Sequence, residues 1–329
     1  MVDKIKNVMA TSEYDFLRKN IDLTNTILLT VGGSIAYGVN TEASDIDLRG
    51  VCIERKQNIY GLGNFEQFEN NSTDTVIYGL KKFFNLALKC NPNIIEMLGT
   101  KLEHNFVLTY SGQELRKNAD IFLSKRIVNS FGGYATAQLR RLQNSLARDT
   151  YSQPQKEKHI LRSIESYMRS VEEKMKAMQG TLNLYINDSQ KEDYDTEIFM
   201  NVHLENYPLR DFKNIYSDIS NIVKDYGEIN HRNKKKDSEH LNKHAMHLLR
   251  ILIMGTEILS GKGINTYRSN DKAMFYDIRK GGLNYEEIFY LVDVWEDNFQ
   301  YAAKNTEWPD KPNYKQVEEL LMHIYNIFY

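Results

Sequence analysis

Apolar and polar residues alternate in short runs near the start of the chain, and over most of the remainder apolar residues recur at helical spacing. Residues 3–20 carry their apolar positions on one stripe and read as an amphipathic helix. TILLTVG, residues 26–32, is a continuous apolar run closed by glycines, the pattern of a buried strand followed by a turn. DIDLRGVCIE, residues 45–54, alternates and predicts a second strand, and Gly61 and Gly63 mark a turn. Residues 65–69 and 73–78 predict two further strands, joined as a hairpin through Asn70, Asn71 and Ser72. At Gly79 the period changes. Leu80, Phe83, Phe84, Ala87 and Leu88 fall at helical spacing, Asn91-Pro92 stops that helix, and Pro92 suits the first turn of the next.

Beyond about residue 106 strand signals become rare. Helices are predicted roughly over 110–149, 154–179, 209–228, 237–260, 270–280, 284–305 and 312–328, punctuated by Pro154 and the polar stretch 187–196. The chain shows no internal repeat and no low-complexity tract. This shift predicts an α+β protein: a mixed sheet with helices over residues 1–106, then a mostly α-helical domain over 107–329.

Composition narrows the classes. At 329 residues, with 41% hydrophobic and 26% charged, the chain is neither disordered nor fibrous and has length for two domains. Lys and Arg number 42 against 44 Asp and Glu, so the net charge of −2 excludes a wholesale basic coat for nucleic acid but not a local basic patch. Two cysteines, Cys52 and Cys90, sit among apolar residues and make neither a disulfide framework nor a cysteine-rich metal module. They point to a reducing compartment, and the cytoplasm is the expected location. The strongest apolar run, Leu248 to Leu259, is interrupted by Arg250 and Glu257 and is far short of the roughly 20 residues of a membrane span. The N-terminal stretch lacks an apolar signal-peptide core.

The chemistry is concentrated in VGGSIAYGVNTEASDIDLRGV, residues 31–51. On a strand, Asp45 and Asp47 would point to one face, with Ile46 and Leu48 to the other. Two adjacent carboxylates repel unless a cation or proton lies between them, and Mg²⁺ prefers one or two carboxylates completed by water and phosphate oxygens. Gly32, Gly33 and Ser34 follow a buried strand and precede a short helical stretch. Glycines allow close approach of a ligand to the backbone, a helix start offers free N–H groups to phosphate, and the Ser34 hydroxyl can donate to a phosphate oxygen. The spacer between Ser34 and Asp45 allows one helical turn and a loop, so that cradle and carboxylates would face each other.

The pattern apolar-Gly-Gly-Ser, spacer, Asp-apolar-Asp-apolar resembles the nucleotidyltransferase signature of the DNA polymerase β superfamily. GGSIAYGVNTEASDIDLRGV (32–51) followed by DTVIYGLKKFFNLALKCNPNIIEML (74–98) is similar to one branch, the RNA-ligase-associated nucleotidyltransferases. The likeness returns in KHAMHLLRILIMGTEIL (243–259) and in YRSND and IRKGGLNYEEI (267–288). The resemblance implies transfer of a nucleoside monophosphate from an NTP to an acceptor hydroxyl, with release of pyrophosphate and two Mg²⁺ or Mn²⁺ ions. It also implies a third carboxylate, for which Asp74 is the first candidate and Glu96 the second. The acceptor it suggests is RNA, as tRNA or RNA ends. Nucleotidylation of a protein or small molecule is the alternative, and an inactive nucleotide- or RNA-binding module is a third reading, disfavoured because all three carboxylates are present.

Around this core several side chains carry two readings. Tyr37 either stacks on a base or packs on its helix. Arg49, two residues past Asp47, faces the cleft or forms a surface ion pair. Lys81, beside Lys82, binds triphosphate or is a solvated helix position. His240, His244 and His247 recur on a helix, but no carboxylate or cysteine joins them at zinc-ligand spacing. Lys243, His244, His247 and Arg250 are instead expected to form a basic face toward nucleotide or nucleic acid, with Arg232 and Lys234–Lys236 as a further phosphate grip. Tyr267-Arg268 is a loop candidate for acceptor or base contact. Gly132-Gly133, Gly261-Lys262-Gly263 and Gly281-Gly282 read as turns or helix ends, and none precedes a Lys-Ser/Thr pair, so no P-loop is expected.

Overall fold

The computed structural model describes residues 2–41, 44–150, 154–155, 157–158, 161, 181–190, 196–213, 216–217, 219–220, 223 and 238–329. The chain divides into two compact units, Met1–Gln138 with Ala245–Tyr329, and Leu139–His244. The sequence reading divides it instead between residues 106 and 107, a position that lies inside a strand of the first unit.

In the first unit the predicted N-terminal helix is interrupted. Val2–Met9 (α1) and Phe16–Lys19 (α2) are separated by a 3-10 turn at Ser12–Tyr14. Thr11 is extended there, and its hydroxyl donates to Val8 O (2.7 Å), a local bond that competes with helix continuation. There follow Thr26–Val31 (β1), Gly33–Tyr37 (α3), Leu48–Cys52 (β2), Lys56–Ile59 (α4), Gln67–Asn70 (β3) and Thr75–Gly79 (β4). Then come Leu80–Ala87 (α5), Pro92–Leu98 (α6), Asn105–Leu108 (β5), Tyr110–Lys117 (α7) and Arg126–Thr150 (α8).

The sheet runs β3-β4-β2-β1-β5. β1 is antiparallel to β2 and β5, β3 is antiparallel to β4, and β2 and β4 are parallel. Ile27 to Val31 of β1 are all buried, which is why that strand reads as an unbroken apolar run. α5 buries Leu80, Phe83, Phe84 and Ala87, as its periodicity predicts. Asn91 caps α6, its side chain accepting from Asn93 N (3.1 Å), with Pro92 in the first turn. Cys52 and Cys90 are buried, and burial pushes the Cys52 thiol up to about 12.

The helix predicted over 110–149 is two helices, because the chain is extended at Leu123, where Phe122 and Leu123 are drawn into the core. Gly132-Gly133 lies inside α8 rather than at a turn, and a Cβ on Gly132 would meet the Phe299 ring at 3.3 Å. The second unit holds a hairpin in a stretch where the sequence predicts no element, only polar punctuation over 187–196. Thr181–Asp188 (β6) pairs antiparallel with Thr196–His203 (β7), and Leu182 packs with Leu204, Tyr207 and Ile219. Of the stretch predicted as helix over 154–179, residues 162–179 lie outside the described residues, as does 231–237 with Arg232 and Lys234–Lys236.

The chain continues through Ser238–Leu259 (α9), Lys272–Lys280 (α10), Tyr285–Asn305 (α11) and Tyr314–Phe328 (α12). Asn284 and Glu287 form a capping box at the start of α11. α12 packs beside α5 and α7. Tyr325 OH donates to Glu54 Oε2 (2.7 Å), while Glu54 Oε1 accepts the Lys81 N–H (2.9 Å) at the start of α5. No helix among the described residues is long and apolar enough to cross a membrane.

Candidate active site

The site is built where β1 and β2 end side by side. Gly32 N–H donates to Asp47 O (2.8 Å), carrying the ladder one step past the Val31–Leu48 pair. Gly33 then turns the chain into α3 with φ +54, a conformation open to glycine at little cost. The Asp47 carboxylate lies in the space a side chain at Gly33 would take: a Cβ there would overlap Oδ2 and lie 2.8 Å from Cγ. At Gly32 a Cβ would stand 3.1 Å from Arg49 Cγ. The two glycines are therefore required by two side chains of the opposite strand end. Gly33→Ala is expected to displace Asp47 by about 1 Å, a shift that costs about 100-fold in rate wherever the displaced group takes part in a reaction, without loss of fold by circular dichroism.

Two expectations change in detail. β2 begins at Leu48, so Asp45 to Asp47 lie before the strand, outside regular structure, and strict alternation does not govern them; Asp45 is exposed and Asp47 half-buried. α3 has only five residues, so it offers the N–H groups of a single turn around half-buried Ser34 rather than a long helix dipole.

Asp74 stands beside this run. Leu48 N donates to Asp74 O (3.1 Å) at the entry of the parallel β2–β4 pair. The Asp74 backbone is left-handed (φ 42), and its exposed carboxylate accepts from Arg49 Nη2 at 2.9 Å. Arg49 also donates to the carbonyls of Leu48 and Asp74. Arg49 is thus tied to the third-carboxylate candidate, which is the ion-pair reading, while its stem lies over Gly32.

The other carboxylate candidate is elsewhere. Glu96 is 6% exposed and forms an ion pair with Arg250, 3% exposed, while Tyr37 OH donates to Glu96 Oε2 (2.6 Å). The Arg250 guanidinium lies 3.7 Å from the centre of the Tyr37 ring, and His247 approaches that ring edge-on at 6.3 Å. His247 Nδ1 is 3.3 Å from Arg250 Nη2. Burial by itself would lower the Arg250 pKa; the Glu96 carboxylate and Tyr37 more than offset it and hold it above the usual value. Burial pushes the Tyr37 phenol well up, with Glu96 and Asp47 adding to it. Of its two readings Tyr37 takes the packing one, Arg250 faces the interior, and Glu96 has its charge matched by Arg250.

Other candidates separate from the glycines. Lys81 is exposed at the opposite end of β4 from Asp74, about 15–20 Å away at strand rise, so it is not at this site. Lys243, exposed, and His244, half-buried, belong to the Leu139–His244 unit, and the His240 side chain lies outside the described residues. Arg268 is 4% exposed and bound to Glu257 and Asp271, which removes it as an acceptor contact. Tyr267 covers Gly38 instead, and Lys101 stands 3.5 Å from the centre of its ring.

Among the described residues no three His, Cys, Asp or Glu side chains are grouped as metal ligands. The donor chemistry of Asp45 and Asp47 nevertheless fits Mg²⁺, which needs no more than one or two carboxylates from a protein and takes the rest from water and phosphate.

A family model described as the RNA repair pathway DNA polymerase beta family, RlaP, matches residues 3–178. The chain belongs to that family. It is therefore a polymerase-β-like nucleotidyltransferase of an RNA repair pathway type, with the mixed sheet expected of one. The RlaP match takes in Gly32, Gly33, Ser34, Asp45, Asp47, Asp74 and Glu96, while α9 to α12 lie beyond it. No curated protein and no solved structure matches the chain.

Proposed function

We propose that the chain transfers a nucleoside monophosphate from an NTP to a hydroxyl of RNA, releasing pyrophosphate. The observation that carries this reading is the seating of Asp47 against Gly33 at the paired ends of β1 and β2, with Asp45 two residues away and exposed. The N–H groups of Gly33 and Ser34 and the Ser34 hydroxyl bind triphosphate oxygens. Asp45 and Asp47 would hold Mg²⁺ or Mn²⁺, with Asp74 as the candidate third carboxylate; the two ions are those the family resemblance implies. When bound, the metal neutralises the triphosphate, lowers the pKa of the attacking hydroxyl and stabilises the entering and leaving oxygens of an in-line displacement. Arg49, already on Asp74, orients that carboxylate and adds positive charge beside the phosphates. RNA as acceptor rests on the family's description.

The test is label transfer from each α-labelled NTP in Mg²⁺ or Mn²⁺, to tRNA, to RNA with free ends, and to a protein lysate. Label on RNA from at least one NTP, lost on chelation, is the expected result. Label on protein would replace RNA as the acceptor. Failure to bind any NTP would overturn the catalytic role of Gly33, Ser34, Asp45 and Asp47.

A further inference from the structure

Asp47 is fixed by the sheet, through Gly32 and the start of β2, but Asp45 lies two residues outside the paired strand. Ahead of Asp45 lie the end of α3, residues 38–41 and Ser44. That segment is held from the C-terminal part of the first unit. Arg268 N donates to Tyr37 O (2.9 Å), Arg279 Nη1 to Val39 O (2.8 Å), and Tyr276 OH to Asn40 O (2.7 Å). The second arm of Arg279, Nη2, reaches Ser44 Oγ at 3.4 Å, and the same oxygen accepts the Thr41 N–H at 2.8 Å. Ser44 N in turn donates to Thr41 O (3.2 Å), and Arg279 is bound to the residue directly ahead of Asp45.

The holder is itself rigid. Arg268, 4% exposed, is fixed by Glu257 of α9 and by Asp271 just before α10, and the Tyr267 ring fills the space over Gly38, where a Cβ would lie 2.6 Å from Tyr267 Cζ. Gly38 adopts φ +77, so a side chain there would be strained as well as obstructed. Tyr37 and Val39 are buried, so their carbonyls need donors from the protein. Here three carbonyls in four residues are taken by donors from one distant stretch, and two of these donors come from side chains on successive turns of α10.

We propose that Arg279, assisted by Tyr276, is a positioning residue for the carboxylate pair: it sets Asp45 against Asp47 by holding Val39, Asn40 and Ser44. The proposal rests on the reading that Asp45 and Asp47 together bind the divalent ion. A fork with two separate donors is needed to span the Val39 carbonyl and the Ser44 hydroxyl, which a single ammonium cannot do in the same geometry.

The test uses the full chain and three variants, Arg279→Met, Arg279→Lys and Tyr276→Phe. Three quantities are measured: Mn²⁺ binding by electron paramagnetic resonance without nucleotide, amide hydrogen exchange, and kcat against KM for the NTP. Loss of an outer partner of a metal ligand typically weakens metal binding about 10–100-fold. Arg279→Met is expected to raise the Mn²⁺ Kd by about that factor and to speed exchange in residues 38–47 but not in β1 or β5. Arg279→Lys, which keeps the charge and guards against loss of fold, should show the same pattern more weakly, and Tyr276→Phe should speed exchange near Asn40 alone. The kcat of Arg279→Met should fall at saturating NTP and recover in part with high Mn²⁺, which a merely structural contact would not produce. Wild-type Mn²⁺ affinity and exchange in both Arg279 variants would overturn the proposal. A wild-type chain that neither binds Mn²⁺ nor transfers label would overturn the proposed function, and exchange in 38–47 would then decide separately whether Arg279 holds the segment.

Discussion

Replacing Asp47 by Asn is expected to lower nucleotidyl transfer by at least about 10²–10³-fold, the loss that follows removal of one preorganised stabilising group in a buried site. The substitution is nearly isosteric, so the packing against Gly33 survives and what is removed is the charge. Asp45→Asn should fall in the same range but affect the fold even less, because Asp45 is exposed and outside the paired strand. Initial rates with the NTP found active by label transfer check both, alongside Mn²⁺ binding. If they act as a pair on one ion, the double variant is little worse than either single one. Independent, multiplying effects, or activity within a few-fold of wild type, would show that the carboxylates do not share a metal.

The second large effect concerns stability. Arg250→Met leaves the Glu96 carboxylate buried without its ion-pair partner and is expected to cost about 3–5 kcal/mol. Glu96→Gln strands the guanidinium and withdraws the charged acceptor from Tyr37 OH, with a loss of similar size. The double variant should recover part of the deficit, since the cost lies in the unmatched charge more than in the absent pair. Urea unfolding followed by tryptophan fluorescence reports the relevant unit, because Trp295 and Trp308 both lie in the part of the chain that contains Glu96 and Arg250. A loss below about 1 kcal/mol in either single variant, the level of an exposed pair, would mean that the charges are solvated. Arg250 at 3% and Glu96 at 6% exposure are both shielded from bulk solvent.

The elements that carry the site were legible because their signals are local. β1 is an unbroken apolar run ended by glycines, β3 and β4 flank a turn of Asn71 to Asp74, and α6 starts at Asn91-Pro92. Gly32, Gly33, Asp45 and Asp47 could be placed together because strand, turn and strand leave few ways to connect. β5 was missed because its four residues are all half-buried and show no alternation. The β6–β7 hairpin did alternate, with Leu182, Leu184 and Ile186 facing Ile198, Met200 and Val202, but the polar connection hid it among helical neighbours. Arg250 carried a signal of another kind. A lone cation inside HLLRILIM on an apolar helix is more easily reconciled with a buried ion pair than with a surface face, and Glu96, amid the apolar residues of NIIEML, is its natural counterpart. Nothing local links Arg279 to Val39, since the two meet only through the tertiary fold.

That meeting has a consequence for how the protein is made. Val39 and Arg279 are 240 residues apart, and the unit they close is interrupted by the whole of Leu139–His244. A ribosome adding about 5–20 residues per second needs roughly 12–48 s to travel from one to the other. Over most of that interval the glycine turn and both aspartates are already synthesised, with the carbonyls of Val39 and Asn40 lacking the donors that later fix them. These contacts therefore form only after Arg279 has been made, and a chain released before it would carry Gly32, Gly33, Asp45 and Asp47 without them.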